Sequence, residues 1–128
     1  MHQGGAIDLL ASRAERPRRV LLVDDNADFL VPLARFLAAR GHDVKSARSG
    51  GEALELARAF APEVAVLDIK LPGMDGYALA RHVGAARLIA LTGYGDDHDE
   101  ARSRAHGFHA HFVKPIDIAI LMETIERA

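Results

Sequence analysis

The chain has 128 residues, 49% apolar and 27% charged, with no Cys, no Trp and a formal net charge of −2. That length suits one compact domain, and a near balance of 16 Lys and Arg against 18 Asp and Glu excludes the strong positive field of a dedicated nucleic-acid binder. The absence of Cys removes disulfides and thiolate metal sites, and Asp8 interrupts the one N-terminal apolar patch, so neither a membrane span nor a signal-peptide core is expected and the domain reads as cytoplasmic.

Residues 1–18 read as a flexible tail or linker, with Gly4 and Gly5, then Arg13, Arg16 and Arg18, and Pro17 as a breaker. Solvated arginines, rather than a nucleic-acid or lipid contact, are expected there. From residue 19 to 128, strand-length apolar runs alternate with helical periodicity. Residues 20–23, 64–67, 88–91 and 111–113 are near-continuous apolar runs suited to parallel strands buried on both faces, and the more polar 42–47 suits an edge. The alternation predicts an α/β sheet with helices on both sides.

In the first helix, between Asn26 and Gly41, Phe29, Leu33, Phe36 and Leu37 define the core face and Gly41 the stop. Pro32 is expected to loosen or kink it, and Leu30 and Val31 fall off the core face. The second helix spans 51–60, with Ala53, Leu54, Ala57 and Phe60 facing in and Pro62 ending it. A short third helix spans 77–83. The fourth, 96–105, is almost all charged, with Ala101 and Ala105 as its apolar payload, so loose docking is expected. The fifth packs through Ile118, Leu121, Met122 and Ile125, with Ile116 and Ile120 off that stripe.

In an open parallel sheet, ligands bind outside the carboxyl ends of the strands. The first strand is followed by Asp24-Asp25-Asn26, the third by Asp68, the fourth by Thr92-Gly93 and the fifth by Lys114-Pro115. Like charges about 4 Å apart repel by about 4 kcal/mol at an effective dielectric near 20, so three gathered carboxylates call for counter-charge. Lys114 supplies one unit, and Mg²⁺, which takes carboxylate and phosphoryl oxygens, suits the remainder. A helix cap explains one of these side chains, Asp25 or Asn26, but not Asp24, Asp68 and Lys114 together.

The run Val23-Asp24-Asp25-Asn26, the segment Val66-Leu67-Asp68-Ile69-Lys70-Leu71-Pro72-Gly73-Met74-Asp75-Gly76, Ala90-Leu91-Thr92-Gly93 and Phe112-Val113-Lys114-Pro115 resemble the receiver domain of two-component response regulators over residues 19–128. The resemblance implies a flavodoxin-like, doubly wound, five-stranded parallel sheet in the order 2-1-3-4-5 with five flanking helices. It makes Asp68 the phosphoacceptor, which takes a phosphoryl group from a phosphohistidine. Asp25, Asp68 and the Lys70 backbone carbonyl would bind Mg²⁺ directly and Asp24 through water, while Thr92 and Lys114 hold phosphoryl oxygens. Phosphoryl transfer asks chiefly for positioning and positive charge, and an ionised Asp needs no general base. A cis peptide is expected at Lys114-Pro115. The implied partners are a histidine kinase or a histidine phosphotransfer protein, with homodimerisation through the face from the fourth to the fifth helix. Neither nucleic acid nor membrane is contacted directly.

Three features depart from the family pattern. His111 stands where a Tyr or Phe is usual, which makes it, with Thr92, a candidate polar switch. Lys70 and Tyr94 occupy the positions that tune dephosphorylation, and a bulky pair there should slow water attack. The segment 77–88 is short, so the third helix is expected to end near Val83-Gly84. Leu30 and Ala34 are expected to meet a phosphodonor helix. His106, His109 and His111 have no Cys beside them and do not make a zinc pattern, and Gly93-Tyr94-Gly95 is too short for a nucleotide fingerprint.

The function expected is a phosphorelay switch that catalyses only its own phosphorylation and dephosphorylation. Fourteen residues follow Lys114, enough for one helix, so the output expected is a protein contact, made by a stand-alone regulator or by the receiver portion of a hybrid sensor kinase, which the stretches around Thr92 and Lys114 resemble. The competing readings are a receiver-like binding module that is not phosphorylated, and a metal-dependent aspartyl-phosphate phosphatase. The latter wants an acid-base Asp where Lys70 stands.

Overall fold

In the computed structural model, which describes residues 12–93 and 100–128, the apolar runs pair side by side in one parallel sheet. Its strands are β1 (Arg19–Val23), β2 (Asp43–Ala47), β3 (Val64–Asp68), β4 (Arg87–Thr92) and β5 (Ala110–Val113). Their order is β2-β1-β3-β4-β5, with every pairing parallel. The helices are α1 (Ala27–Ala39), α2 (Gly50–Phe60), α3 (Gly76–Ala80), α4 (Glu100–Ala105) and α5 (Ile118–Glu126). This is the doubly wound order expected. All five residues of the central strand β3 are buried, while the more polar β2 forms one edge.

The sheet separates two apolar layers. On one side Leu30, Leu33 and Leu37 of α1 and Leu121, Met122 and Ile125 of α5 cover Val20, Leu22, Val66 and Ile89. On the other, Ala53 and Ala57 of α2 and Tyr77 and Leu79 of α3 cover Leu21, Val23, Leu67 and Ala90. Alternate residues of one strand therefore serve opposite layers, as a sheet covered on both faces requires.

Several helical details differ from the sequence reading. In α1 the core face is Leu30, Leu33 and Leu37, whereas Phe36 is 40% exposed and Phe29 half-buried. With so many apolar residues in that helix, two faces a fraction of a turn apart fit the periodicity equally well. Leu30, at 3% exposure, is therefore core and not a docking contact. Pro32 lies within an uninterrupted helix. In α4 the buried residue is Ser103, while Ala101 and Ala105 are exposed; hydrogen bonding, not apolar burial, chooses its inner face. The first residues expected of that helix, 96–99, lie outside the described residues. Helix α3 ends at Ala80, short of 83–84. Ile116, off the α5 stripe, still packs against the core. An antiparallel ribbon, Lys70–Leu71 against Met74–Asp75, is too short to leave a sequence period.

The caps follow sequence chemistry. Asn26, Ser49, Asp75 and Asp117 each accept a backbone N–H in the first turn of α1, α2, α3 and α5. Helix α1 ends on Gly41, whose φ of +96° suits glycine. Gly41 N–H donates to the Ala38 carbonyl and His42 N–H to that of Leu37, the paired bonds of a Schellman stop.

A buried ionic cluster closes the amino-terminal end of the sheet. Arg40 grips both carboxylate oxygens of Glu126, and His42 Nε2 lies 2.8 Å from the same carboxylate. His42 Nδ1 accepts the Arg18 N–H at 2.9 Å, so the ring's remaining proton sits on Nε2, facing Glu126. Arg40 also donates to the Ser12 carbonyl at 2.5 Å and accepts from the Ala14 N–H at 2.8 Å. These two bonds lay the 12–14 stretch along the end of α1.

Candidate functional site

At the opposite, carboxyl end of the sheet, three strands deliver their charged residues to one point. Carboxylate oxygens of Asp24, Asp25 and Asp68 all lie within 4.8 Å of one another. Asp24 is wholly buried, Asp68 is 7% exposed and Asp25 is open to solvent. The Asp24 carboxylate accepts from the Asn26 N–H at 2.9 Å and from Lys114 Nζ at 2.6 Å. The Lys114 ammonium also lies 4.7 Å from the centre of the Phe29 ring, a cation–π contact. The peptide bond between Lys114 and Pro115 is cis, as expected.

Asp68 ends β3, and its Oδ1 accepts the Lys70 N–H at 2.9 Å. Burial pushes its carboxyl up to about 6, with the charges of Asp24 and Asp25 adding to the rise and the Lys70 N–H and Lys114 opposing it. Gly76 holds the α3 start against this strand end. Its N–H donates to the Ile69 carbonyl, and a Cβ there would lie 2.7 Å from both the Asp68 carbonyl oxygen and Ile69 Cα. Gly76 is thus a positioning residue that the sequence reading quoted without assigning a role; a glycine at a helix start four residues beyond the Pro72 turn was the available signal.

Thr92, at the end of β4, is 2% exposed. Its hydroxyl lies 3.2 Å from His111 Nε2, so Thr92 and His111 are in contact as a switch would need. Tyr94 lies outside the described residues. The structure thus gathers Asp24, Asp25, Asp68, Thr92 and Lys114 at one rim, with Lys70 exposed beside it. The other two histidines of the 106–111 stretch do other work: the His106 ring packs at a tilt 4.5 Å from the Tyr77 ring, and His109 Nδ1 accepts the Leu88 N–H. Among the described residues the metal-competent trio is the three aspartates, an all-oxygen donor set that fits a hard cation such as Mg²⁺.

A doubly wound sheet with an aspartate trio, a hydroxyl and a lysine before a cis proline at its carboxyl rim defines a receiver. Residues 20–126 match the response regulator receiver domain family, and the chain belongs to it. The transcriptional regulatory protein PdtaR of Mycobacterium tuberculosis is 35% identical over 88% of this chain, and the match covers 57% of PdtaR's own length. Protein PilH of Pseudomonas aeruginosa is 31% identical over 84% of this chain and 93% of its own. The sporulation initiation phosphotransferase F of Bacillus subtilis is 28% identical over 85% and 91%. Among solved structures, a CheY-like receiver domain protein from Methanospirillum hungatei superposes with a TM-score of 0.78 at 30% identity, covering 88% of this chain and 93% of that one. Receiver domains are signalling modules of two-component systems. No helix among the described residues is long and apolar enough to cross a membrane.

Proposed function

We propose that the chain accepts a phosphoryl group on Asp68 from a phosphohistidine of a histidine kinase or phosphotransfer protein, in a Mg²⁺-dependent reaction, and that the aspartyl phosphate switches a protein-interaction surface in the cytoplasm. The observation that carries this reading is the convergence of Asp24, Asp25 and Asp68 within 4.8 Å, beside the Lys114 ammonium. The B. subtilis relative, named a phosphotransferase, supports it.

In the reaction an oxygen of ionised Asp68 attacks phosphorus as the phosphorus–nitrogen bond breaks to a phosphohistidine whose other ring nitrogen is protonated, so the electron pair stays on the leaving nitrogen and the donor departs as neutral imidazole. Asp24, Asp25, Asp68 and the Lys70 carbonyl would hold Mg²⁺, which supplies positive charge to the transferring oxygens. Lys114 keeps donors beyond the one it gives Asp24, and Thr92 adds a hydroxyl. The residue types at positions 70 and 94, Lys70 and Tyr94, tune the lifetime of the acyl phosphate in this reading. Driving a two-state element from 1:99 to 99:1 takes about 5.5 kcal/mol of differential interaction, within reach of a few charge-assisted bonds. Helix α4, with one buried residue, is the element suited to move. A contact with a second copy is placed by this reading on the α4 to α5 face.

Incubation with acetyl phosphate and Mg²⁺ tests the reading: an acid-stable, hydroxylamine-sensitive adduct on Asp68, absent in Asp68→Asn, is expected. No labelling, with partner binding retained, would favour an unphosphorylated binding module. Steady turnover of phosphate esters would favour a phosphatase.

A further inference from the structure

The hydrogen bonds that leave the acidic rim through Thr92 run into the helix layer. Thr92 Oγ1 is 3.2 Å from His111 Nε2, His111 Nδ1 is 3.0 Å from Ser103 Oγ, and Ser103 Oγ is 3.4 Å from the Tyr77 hydroxyl. Thr92, Ser103 and Tyr77 are 2%, 1% and 8% exposed. The chain of bonds crosses from β4 through β5 to α4 and α3. At its far end the Tyr77 ring carries the Arg102 guanidinium 4.5 Å above it and the His106 ring 4.5 Å away.

A neutral imidazole donates through one nitrogen and accepts through the other, and each hydroxyl has one proton. Two directions therefore satisfy these bonds. In one, the Thr92 hydroxyl donates to Nε2 and Nδ1–H donates to Ser103. In the other, Nε2–H donates to Thr92 and Ser103 donates to Nδ1. The Ser103 proton is then spent, so the Tyr77 hydroxyl donates to Ser103.

A dianionic acyl phosphate offers acceptors only, so Thr92 bonds it only as a donor. Its proton is then committed to the phosphoryl oxygen, and only its lone pairs remain for His111. We propose that His111 is a tautomeric relay: phosphorylation of Asp68 fixes its proton on Nε2 and thereby turns the Ser103 and Tyr77 hydroxyls into donors pointing toward the site. The relay carries the state of Asp68 to the seam between α3 and α4 without requiring the His111 ring to rotate. It rests on the phosphoacceptor reading, with His111, Ser103 and Tyr77 as positioning residues that act through Thr92.

The test is long-range proton–nitrogen correlation NMR of the ¹⁵N-labelled full chain in Mg²⁺, with and without beryllofluoride as the phosphoryl mimic. With beryllofluoride bound, His111 is expected as the Nε2–H tautomer, and the backbone amides of Ser103 and Tyr77 shift. In Ser103→Ala, which removes the donor to Nδ1, and in His111→Phe, the Tyr77 shift is expected to fall by at least half while the Lys70 shift beside Asp68 persists. An Nδ1–H tautomer or an imidazolium in the beryllofluoride state overturns the relay, as does an undiminished Tyr77 shift in Ser103→Ala. If beryllofluoride leaves the Lys70 amide unmoved, the phosphoacceptor reading falls and the relay with it.

Discussion

The Lys114 ammonium sits 2.6 Å from the Asp24 carboxylate, and the Asp24 side chain has no exposed surface. A buried carboxylate without its cation is far more costly than a pair removed together, because the orphaned charge keeps its full desolvation penalty. Lys114→Met is therefore expected to lower unfolding free energy by about 2–4 kcal/mol in urea, and adding Asp24→Asn should recover at least half of that loss. Additive effects of the two changes would show the pair to be uncoupled.

Asp68 gives a pH dependence of definite sign. Its carboxyl is pushed up to about 6 by burial, from 3.8, so the native state resists its ionisation. The favourable contribution is complete below pH 4 and is lost as pH rises through about 6. Asp68→Asn should accordingly stabilise the protein at pH 7.5 by on the order of 2 kcal/mol without Mg²⁺, with no gain at pH 3.5. Mg²⁺ binding needs the ionised form, so its affinity by calorimetry should weaken as pH falls through about 6 in the wild type.

Gly76 leaves no room for a methyl group, since a Cβ would meet the Asp68 carbonyl oxygen and Ile69 Cα, both backbone, at 2.7 Å. Gly76→Ala should cost about 1–3 kcal/mol and slow labelling by acetyl phosphate several-fold, because the strand end that carries the phosphoacceptor must shift. Unchanged labelling with lowered stability would confine the role of Gly76 to packing.

Burial works to raise the Glu126 carboxyl, but hydrogen bonds from Arg40 and His42 overcome it and hold the group below its ordinary value. This contribution is present above about pH 4.5 and is lost as pH falls through the native value. Glu126→Gln should therefore be clearly less stable than wild type at pH 7, with the difference shrinking toward pH 3. Its phosphorylation rate should be untouched, since the cluster lies at the far end of the sheet.

Lys70 places its backbone N–H on Asp68 and is exposed beside it. Lys70→Ala should shorten the half-life of the aspartyl phosphate several-fold in a phosphate-release assay while leaving the initial rate of labelling intact. An unchanged half-life would remove Lys70 from the control of hydrolysis.

The strands and the acidic rim were legible in the sequence because a sheet buried on both faces writes itself as apolar runs, and because doubly wound topology sends whatever follows each run to one edge. Asp24, Asp68, Thr92 and Lys114 could be placed together on that ground. The phase of α1 was not legible: Phe29, Leu30, Leu33, Phe36 and Leu37 satisfy more than one face, and only packing against α5 and the sheet selects Leu30 over Phe36. Nor was the inner face of α4, where the side chain turned inward is the polar Ser103, chosen by His111 and Tyr77 rather than by hydrophobicity. Periodicity reports apolar burial, and a contact made of hydrogen bonds between residues far apart in the chain leaves no period to find.

Among the described residues α4 buries one side chain, the hydroxyl of Ser103, and lays Arg102 over the Tyr77 ring, so little apolar burial separates its seated and released positions. Weak seating lowers the threshold at which a signal registers and raises the background that persists without one, since a gap of about 1.4 kcal/mol leaves about one molecule in ten released. Sensitivity and silence are thus traded against each other in the seating of one short helix. A substitution that seats α4 more firmly should make the quiescent protein quieter and the phosphorylated one slower to respond.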